Sequence, residues 1–167
     1  MSAIVLREAR AEELDAVGAM MVAAYAEFAP PDPVPAWTDY ENEIRDVRRR
    51  LGGSTLIVAD DGGKLVGAVT YYPDCSKEPH GSWPPSWAVF RLLAVHPDAR
   101  GRGLGRLLTE ECIRRARASG RTALGLHTTT LMNVARAMYE RMGFVRVPEH
   151  DFFPMPTFRV MAYRLTL

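Results

Sequence analysis

A nearly unbroken apolar run, Trp87 to Val95, leads into Arg100-Gly101-Arg102-Gly103-Leu104-Gly105 and then into a helix-period stripe of Leu104, Leu108 and Cys112. No other stretch limits the fold as sharply. So apolar a run reads as a central strand buried on both faces. The chain must then turn tightly from strand to helix, and three glycines at alternate positions let the backbone curl close to a ligand. The helix expected from about Leu104 to Ser119, stopped by Gly120, aims its unpaired N–H groups and positive dipole end into that curl. Such a loop suits phosphate oxygens. Arg100, Arg102 and Arg106 can add charge-assisted hydrogen bonds to a pyrophosphate. The spacing excludes two other phosphate loops: G-x-G-x-x-G would need glycine at Arg106, and a P-loop would need G-K-S/T. Taken alone, the segment could also be a plain structural turn or a short Arg/Gly patch for nucleic acid.

Composition narrows these choices. With 21 basic and 20 acidic residues the net charge is +1, so no electrostatic footprint for a polyanion exists and no nucleic-acid partner is expected. Only Lys64 and Lys77 are lysines; arginine carries the rest of the positive charge. At 167 residues one domain, 1–167, is expected, large enough for a real core. Charges fall too early in Met1 to Arg10 for a signal peptide, and no apolar run approaches ~20 residues. A cytoplasmic location without a membrane partner is the expectation. Cys75 and Cys112 supply no disulfide framework; Cys112 belongs to the helix stripe and Cys75 reads as a loop residue. His80, His96, His127 and His150 are scattered, and no metal site is indicated.

Periodicity places the remaining elements. Ile4 to Glu8 reads as a strand, and Ala11 to Phe28 as a helix with Leu14, Val17, Met21, Val22, Tyr25 and Phe28 on one stripe. The proline-rich Ala29 to Pro35 is a stiff loop. A second helix is expected near Trp37, with Thr38 and Glu41 in capping-box spacing and Tyr40, Ile44, Val47 and Leu51 buried. Thr55 to Ala59 and Leu65 to Tyr72 form a hairpin around Asp60 to Lys64. Pro73 to Pro85 is a long loop, of the kind that is usually functional or mobile. Ala123 to His127 is a buried strand, and Met132 to Met142 a helix ended by Gly143. Phe144 to Val147 and Phe158 to Leu165 are closing strands. The order makes this an α/β fold, of layered α+β type, around a mixed sheet.

Leu92 to Gly105 closely resembles motif A of the GCN5-related N-acetyltransferases, whose core R/Q-x-x-G-x-G/A matches at Arg100, Gly103 and Gly105. Further on, Asn133-Val134-Ala135-Arg136-Ala137-Met138-Tyr139-Glu140-Arg141-Met142-Gly143-Phe144 resembles the family's motif B, N-x-x-A-x-x-x-Y-x-x-x-G-F, in register at Ala135, Tyr139, Gly143 and Phe144, with Asn133 one residue nearer the alanine than the pattern has it. The element order from Ile4 to Leu165 agrees with the family along essentially the whole chain. The resemblance implies a single GNAT-like domain with a mixed, mostly antiparallel seven-stranded sheet flanked by about four helices. It implies acetyl-CoA, or another acyl-CoA, as cosubstrate. The backbone of Leu93 and Val95 would pair with pantetheine like an added strand. Arg100, Gly101, Arg102, Gly103, Gly105 and Arg106 would surround the pyrophosphate, and Asn133 would contact the cofactor arm. A homodimer is implied by analogy alone.

The implied chemistry is direct acyl transfer to an amine, on a small molecule or a peptide. A backbone N–H at or near Val95 would stabilise the oxyanion. Tyr139 would protonate the leaving thiolate, although helix periodicity alone makes it a core residue. Some relatives carry a glutamate base on the motif A strand, but Val89 to Ala94 contains no carboxylate. Glu27, His127, His150, Asp151 or a water chain are the open candidates for the base. The acceptor pocket would come from Phe28 to Trp37 and Pro148 to Thr157, whose aromatic and acidic groups suit a cationic amine with an apolar portion. The competing reading is an acyl-CoA-binding sensor or partner module that does not catalyse.

Overall fold

The computed structural model describes residues 3–167. Its strands are β1 (Ile4–Glu8), β2 (Thr55–Asp61), β3 (Lys64–Tyr72), β4 (Trp87–Val95), β5 (Ala123–Thr128), β6 (Val145–Arg146), β7 (Phe152–Met155) and β8 (Phe158–Thr166). The helices are α1 (Leu14–Tyr25), α2 (Pro35–Arg45), α3 (Val47–Arg50), α4 (Leu104–Ala118) and α5 (Asn133–Arg141). Among the described residues the sequence expectation of seven strands and about four helices is thus exceeded by one strand, β7, and by one helix, α3. The chain divides into two compact units: residues 3–70 with 92–109, and residues 71–91 with 110–167.

In the first unit β1 pairs antiparallel with β2, from Ile4↔Asp61 to Glu8↔Ile57, and β3 follows β2 in the sheet. The β2–β3 hairpin turns on Gly62 and Gly63, with φ of 61° and 98°. Two successive positive φ values make the two-residue turn whose twist matches the strands, so both strands reach further into the turn than the sequence suggests. Helix α1 buries Leu14, Val17, Met21 and Tyr25. The single helix expected over Ala11 to Phe28 has 3-10 turns at both ends, Ala11–Glu13 and Ala26–Phe28. Gly18 on α1 is a close-approach position: a Cβ there would stand 2.2 Å from the Arg45 carbonyl oxygen.

The second helix departs from expectation at both ends. It starts at Pro35, whose fixed φ suits the first helical position, and no capping box forms. Instead the Trp37 indole N–H donates to Glu41. Asp46 leaves the helical region (φ −84°, ψ 72°) and its carboxylate accepts from the Arg49 N–H, starting α3. Ile44 and Val47 are buried, Tyr40 is half-buried and Leu51 is exposed.

In the second unit the first residues of β4 pair in parallel with β5, from Trp87↔Ala123 to Phe90↔Leu126. Strand β5 pairs antiparallel with β8 along its whole length, out to Thr128↔Met161, and β6 and β7 both add antiparallel to β8. The segment expected to be a loop, Pro148 to Thr157, therefore carries a strand. β7 and β8 form a hairpin in which Met155 pairs with Phe158, and Pro154 hides the strand from sequence inspection because proline is depleted in strands. β6 is only two residues long. Cys75, read as a plain loop residue, is buried, and its thiol donates to the Pro84 carbonyl. Cys112 is fully buried, as its place on the stripe requires.

Candidate functional site

The glycine loop lies in the first unit. Gly101 and Gly103 have φ of 79° and 75°, values that a side chain at either position would strain. A Cβ built on either would meet nothing within 4 Å. The glycines are there to bend the backbone and keep it reachable, not to make room for a neighbour. Leu104, the first residue of α4, is buried and seats the helix start on the core. Gly67 on β3 lets that helix approach: a Cβ there would touch Leu108 at 3.0 Å and the Ala94 carbonyl at 3.1 Å. Positive φ, open space above and a helix N-terminus below fit a diphosphate.

The loop's arginines are engaged with the surrounding protein. Arg100 donates to the Ala24 carbonyl (2.9 Å) and pairs with Glu27 (2.8 Å). Arg102 pairs with Asp61 at 3.0 Å. Both remain about two-fifths exposed, and a guanidinium has donors enough to hold a carboxylate and a phosphate together. Glu27, one of the four side chains considered for the base, is thus an ion-pair partner of the loop.

Along β4, Leu92 has φ 56°, a left-handed conformation in mid-strand that a leucine rarely adopts. Such a residue kinks a strand. It lies just past Phe90, where the parallel ladder with β5 ends. The Tyr25 hydroxyl donates to the Leu93 carbonyl at 3.0 Å, so α1 hangs on the backbone expected to meet pantetheine. The His96 N–H donates to the Val66 carbonyl at 2.8 Å and is thereby committed to β3. Leu93 and Val95 are half-buried, Gly105 is half-buried, and Arg106 is exposed.

Tyr139 belongs to the second unit. It is 4% exposed, and its ring meets Phe90 and Phe144 edge-on, with centroids 5.9 and 5.7 Å away. Burial, followed by the nearby Cys112, raises its phenol above the usual tyrosine value, so it holds its proton at any ordinary pH. Asn133 is exposed at the first position of α5.

Sequence inspection overlooked a second cluster in this unit. Glu78 and Trp83 come from the loop after β3, and the loop is ordered around them. The buried Glu78 carboxylate accepts from the His80 N–H (3.0 Å) and the Trp83 indole (3.1 Å), with Arg91 at 3.8 Å. Gly81 allows the turn, since a Cβ there would fall 1.8 Å from the indole nitrogen. Trp83 lies against His127 (4.5 Å), His150 (5.5 Å) and Trp87 (5.8 Å), and His80 stacks on Phe152. Two histidines scattered in sequence, His127 and His150, thus converge on one indole, and a third, His80, stacks on the neighbouring Phe152; only the unusual density of aromatic and imidazole residues hinted at it. Asp151 takes a structural role. Burial by itself would raise its carboxyl, but bidentate bonds from Arg146 (2.6 and 2.7 Å) and the Ala162 N–H bring it below the usual range.

A profile of the acetyltransferase (GNAT) family matches residues 19–144. The chain belongs to this family. Among curated GNAT relatives, the mycothiol acetyltransferase of Geodermatophilus obscurus is 28% identical over 66% of the chain, and N-acetyltransferase 8B of Rattus norvegicus 33% identical over 67%. The chain spans 35% and 48% of their respective lengths. Solved GNAT structures agree in fold. A GCN5-related N-acetyltransferase from Rhodopseudomonas palustris superposes with TM-score 0.72 at 21% identity, covering 100% of this chain and 98% of that one. PaiA N-acetyltransferase from Thermoplasma acidophilum, solved with coenzyme A, superposes with TM-score 0.68 at 16% identity, covering 98% and 99%. No described helix of this GNAT chain is long and apolar enough to cross a membrane.

Proposed function

We propose that the chain works as one acetyltransferase domain that moves an acetyl group from acetyl-CoA to a primary amine, without an acyl-enzyme. The observation that carries this reading is the Gly101–Gly103 turn, with its two positive φ values and open space above the backbone, at the N-terminus of α4. Backbone N–H groups of Gly101, Gly103 and Gly105, with Arg100, Arg102 and Arg106, hold the diphosphate; the backbone of Leu93 and Val95 and the side chain of Asn133 hold the pantetheine arm. Acetyl-CoA supplies the activated thioester. A backbone N–H at Val95 stabilises the developing oxyanion, and Tyr139, kept protonated by burial, donates to the departing sulfur.

The acceptor is a small-molecule amine. Phe28, Trp37 and Tyr40 are half-buried beside the proline loop, with Trp37 and Tyr40 in edge contact at 5.6 Å, and the Glu41 carboxylate accepts from the Trp37 indole. Aromatic faces with carboxylates favour a cation on an apolar frame. A second reading rests on the burial of Tyr139 in a ring cluster: the chain binds acyl-CoA as a sensor and does not turn over. Release of CoA thiol across polyamines, amino acids, arylalkylamines and peptides separates the two. Turnover on one class establishes the transferase; acetyl-CoA raising the melting temperature with every amine silent establishes the sensor.

A further inference from the structure

β4 and β5 separate two faces within the second unit. Val89 and Phe90 stand opposite Gly125 and Leu126, and neighbouring residues along a strand face opposite ways. Phe90 turns its ring to Tyr139 and Phe144. Gly125 faces the other side, where a Cβ would stand 2.9 Å from the Trp83 ring. His127, in phase with Gly125, lies beneath the same indole. It is also the first β5 residue past the end of the parallel ladder, held in place by its pairing with Ala162 on β8. Tyr139 and His127 therefore flank the end of the ladder from opposite faces of the sheet.

The tautomer of His127 follows from its partner. Nε2 lies 2.9 Å from the His150 carbonyl oxygen, which can only accept, so Nε2 carries the hydrogen and Nδ1 the lone pair. We propose that His127 is the base of the acetyl transfer, its Nδ1 taking the proton that the acceptor nitrogen sheds, with the His150 carbonyl fixing the tautomer. This rests on the acetyltransferase reading above. Burial, the largest influence on the ring, lowers its affinity for a proton; the His150 carbonyl, Glu78 and Asp151 favour the charged form and Arg91 opposes it. The ring thus enters the reaction neutral. The step balances: the ammonium gives one proton to Nδ1, the amine forms the C–N bond, and the C–S bond breaks. The second proton shed by nitrogen equals the one the sulfur takes, and His127 returns its own to solvent. A weakly basic imidazole matches acceptors of modest basicity, such as α-amino groups near pKa ~8, better than lysine-like amines near ~10.4.

The test uses the intact chain and His127→Gln, whose amide can still donate to the His150 carbonyl. CoA release is measured across pH with α-amino acceptors, acetyl-CoA affinity by calorimetry, and the His127 tautomer by imidazole nitrogen NMR on the protein without ligands. Expected are an Nε2–H tautomer titrating below the ordinary histidine value, a loss of about a hundredfold in kcat/KM for His127→Gln, disappearance of the acid limb of the pH profile, and unchanged acetyl-CoA affinity. An Nδ1–H tautomer overturns the proposal whether or not the variant folds. So does a variant within threefold of wild type that keeps the acid limb. A wild type that binds acetyl-CoA but releases no CoA with any amine overturns acetyl transfer itself; an active wild type with an equally active variant overturns only the role of His127.

Discussion

The glycine loop and the Trp83 cluster are built on opposite principles. The loop is a handful of consecutive residues shaped by its glycine backbone, exposed to solvent and held by ion pairs at its surface. The cluster gathers Glu78, His80, Trp83, Arg91, His127, His150 and Phe152 from four separate segments around a buried carboxylate. A backbone site tolerates change in its side chains but not in its glycines. A side-chain cluster depends on each donor, because a buried carboxylate that loses one is left with an uncompensated desolvation cost.

The largest effect should come from the cluster. Trp83→Ala removes the indole donor to Glu78 and the cover over His127, and should lower stability by about 3–5 kcal/mol, read as the midpoint of urea unfolding. A shift below about 1 kcal/mol would make the cluster a surface decoration. Next is Gly103→Glu, which places a strained side chain and a negative charge in the diphosphate cradle. Acetyl-CoA affinity should fall by about a hundredfold or more, roughly 2.7 kcal/mol, beyond the about 1–2 kcal/mol of stability that the left-handed backbone costs the free protein; calorimetry showing retained affinity would move the diphosphate elsewhere. Tyr139→Phe should reduce kcat by roughly tenfold and leave the acetyl-CoA Kd alone. The effect is smaller because a thiolate, whose parent thiol has a pKa near ~8.5, leaves with little help. Unchanged kcat would return Tyr139 to the core.

The smallest effect concerns the first unit. Arg7 bonds Glu13 and Asp60, and chiefly through Arg7 the Glu13 carboxyl is pulled down to about 2. Its folded value lies below its unfolded one near ~4.3, so the contribution is full above that pH and is lost as pH falls toward 2. The side chains are partly exposed, which limits the gain to about 1 kcal/mol. The melting temperature should drop between pH 6 and 3, and Arg7→Ala should drop less; equal drops would refute the assignment.

Helix and strand periods were legible because each depends on neighbours a few residues away. β4 and α4 begin where the apolar run and the glycine loop require, and Gly120 and Gly143 stop α4 and α5 with φ of 69° and 97°. β7 was not legible: Pro154 argues against a strand, and only pairing with β8 overrides it. Leu92 gives no sign in sequence of its left-handed backbone, which the surrounding strand imposes. Nor did a loop cysteine announce that Cys75 would be buried.

For the candidate site, the sequence alone determined the glycine turn at the start of α4, since glycine spacing, positive φ and a helix start are local properties of one short segment. It left the base among a water chain, Glu27, His127, His150 and Asp151. What only tertiary structure decided is the partner each side chain has: Arg100 for Glu27, Arg146 for Asp151, and the His150 carbonyl for His127. Whether a side chain is spent on a partner or has a lone pair to use depends on residues far off in the chain, and spacing carries no record of them.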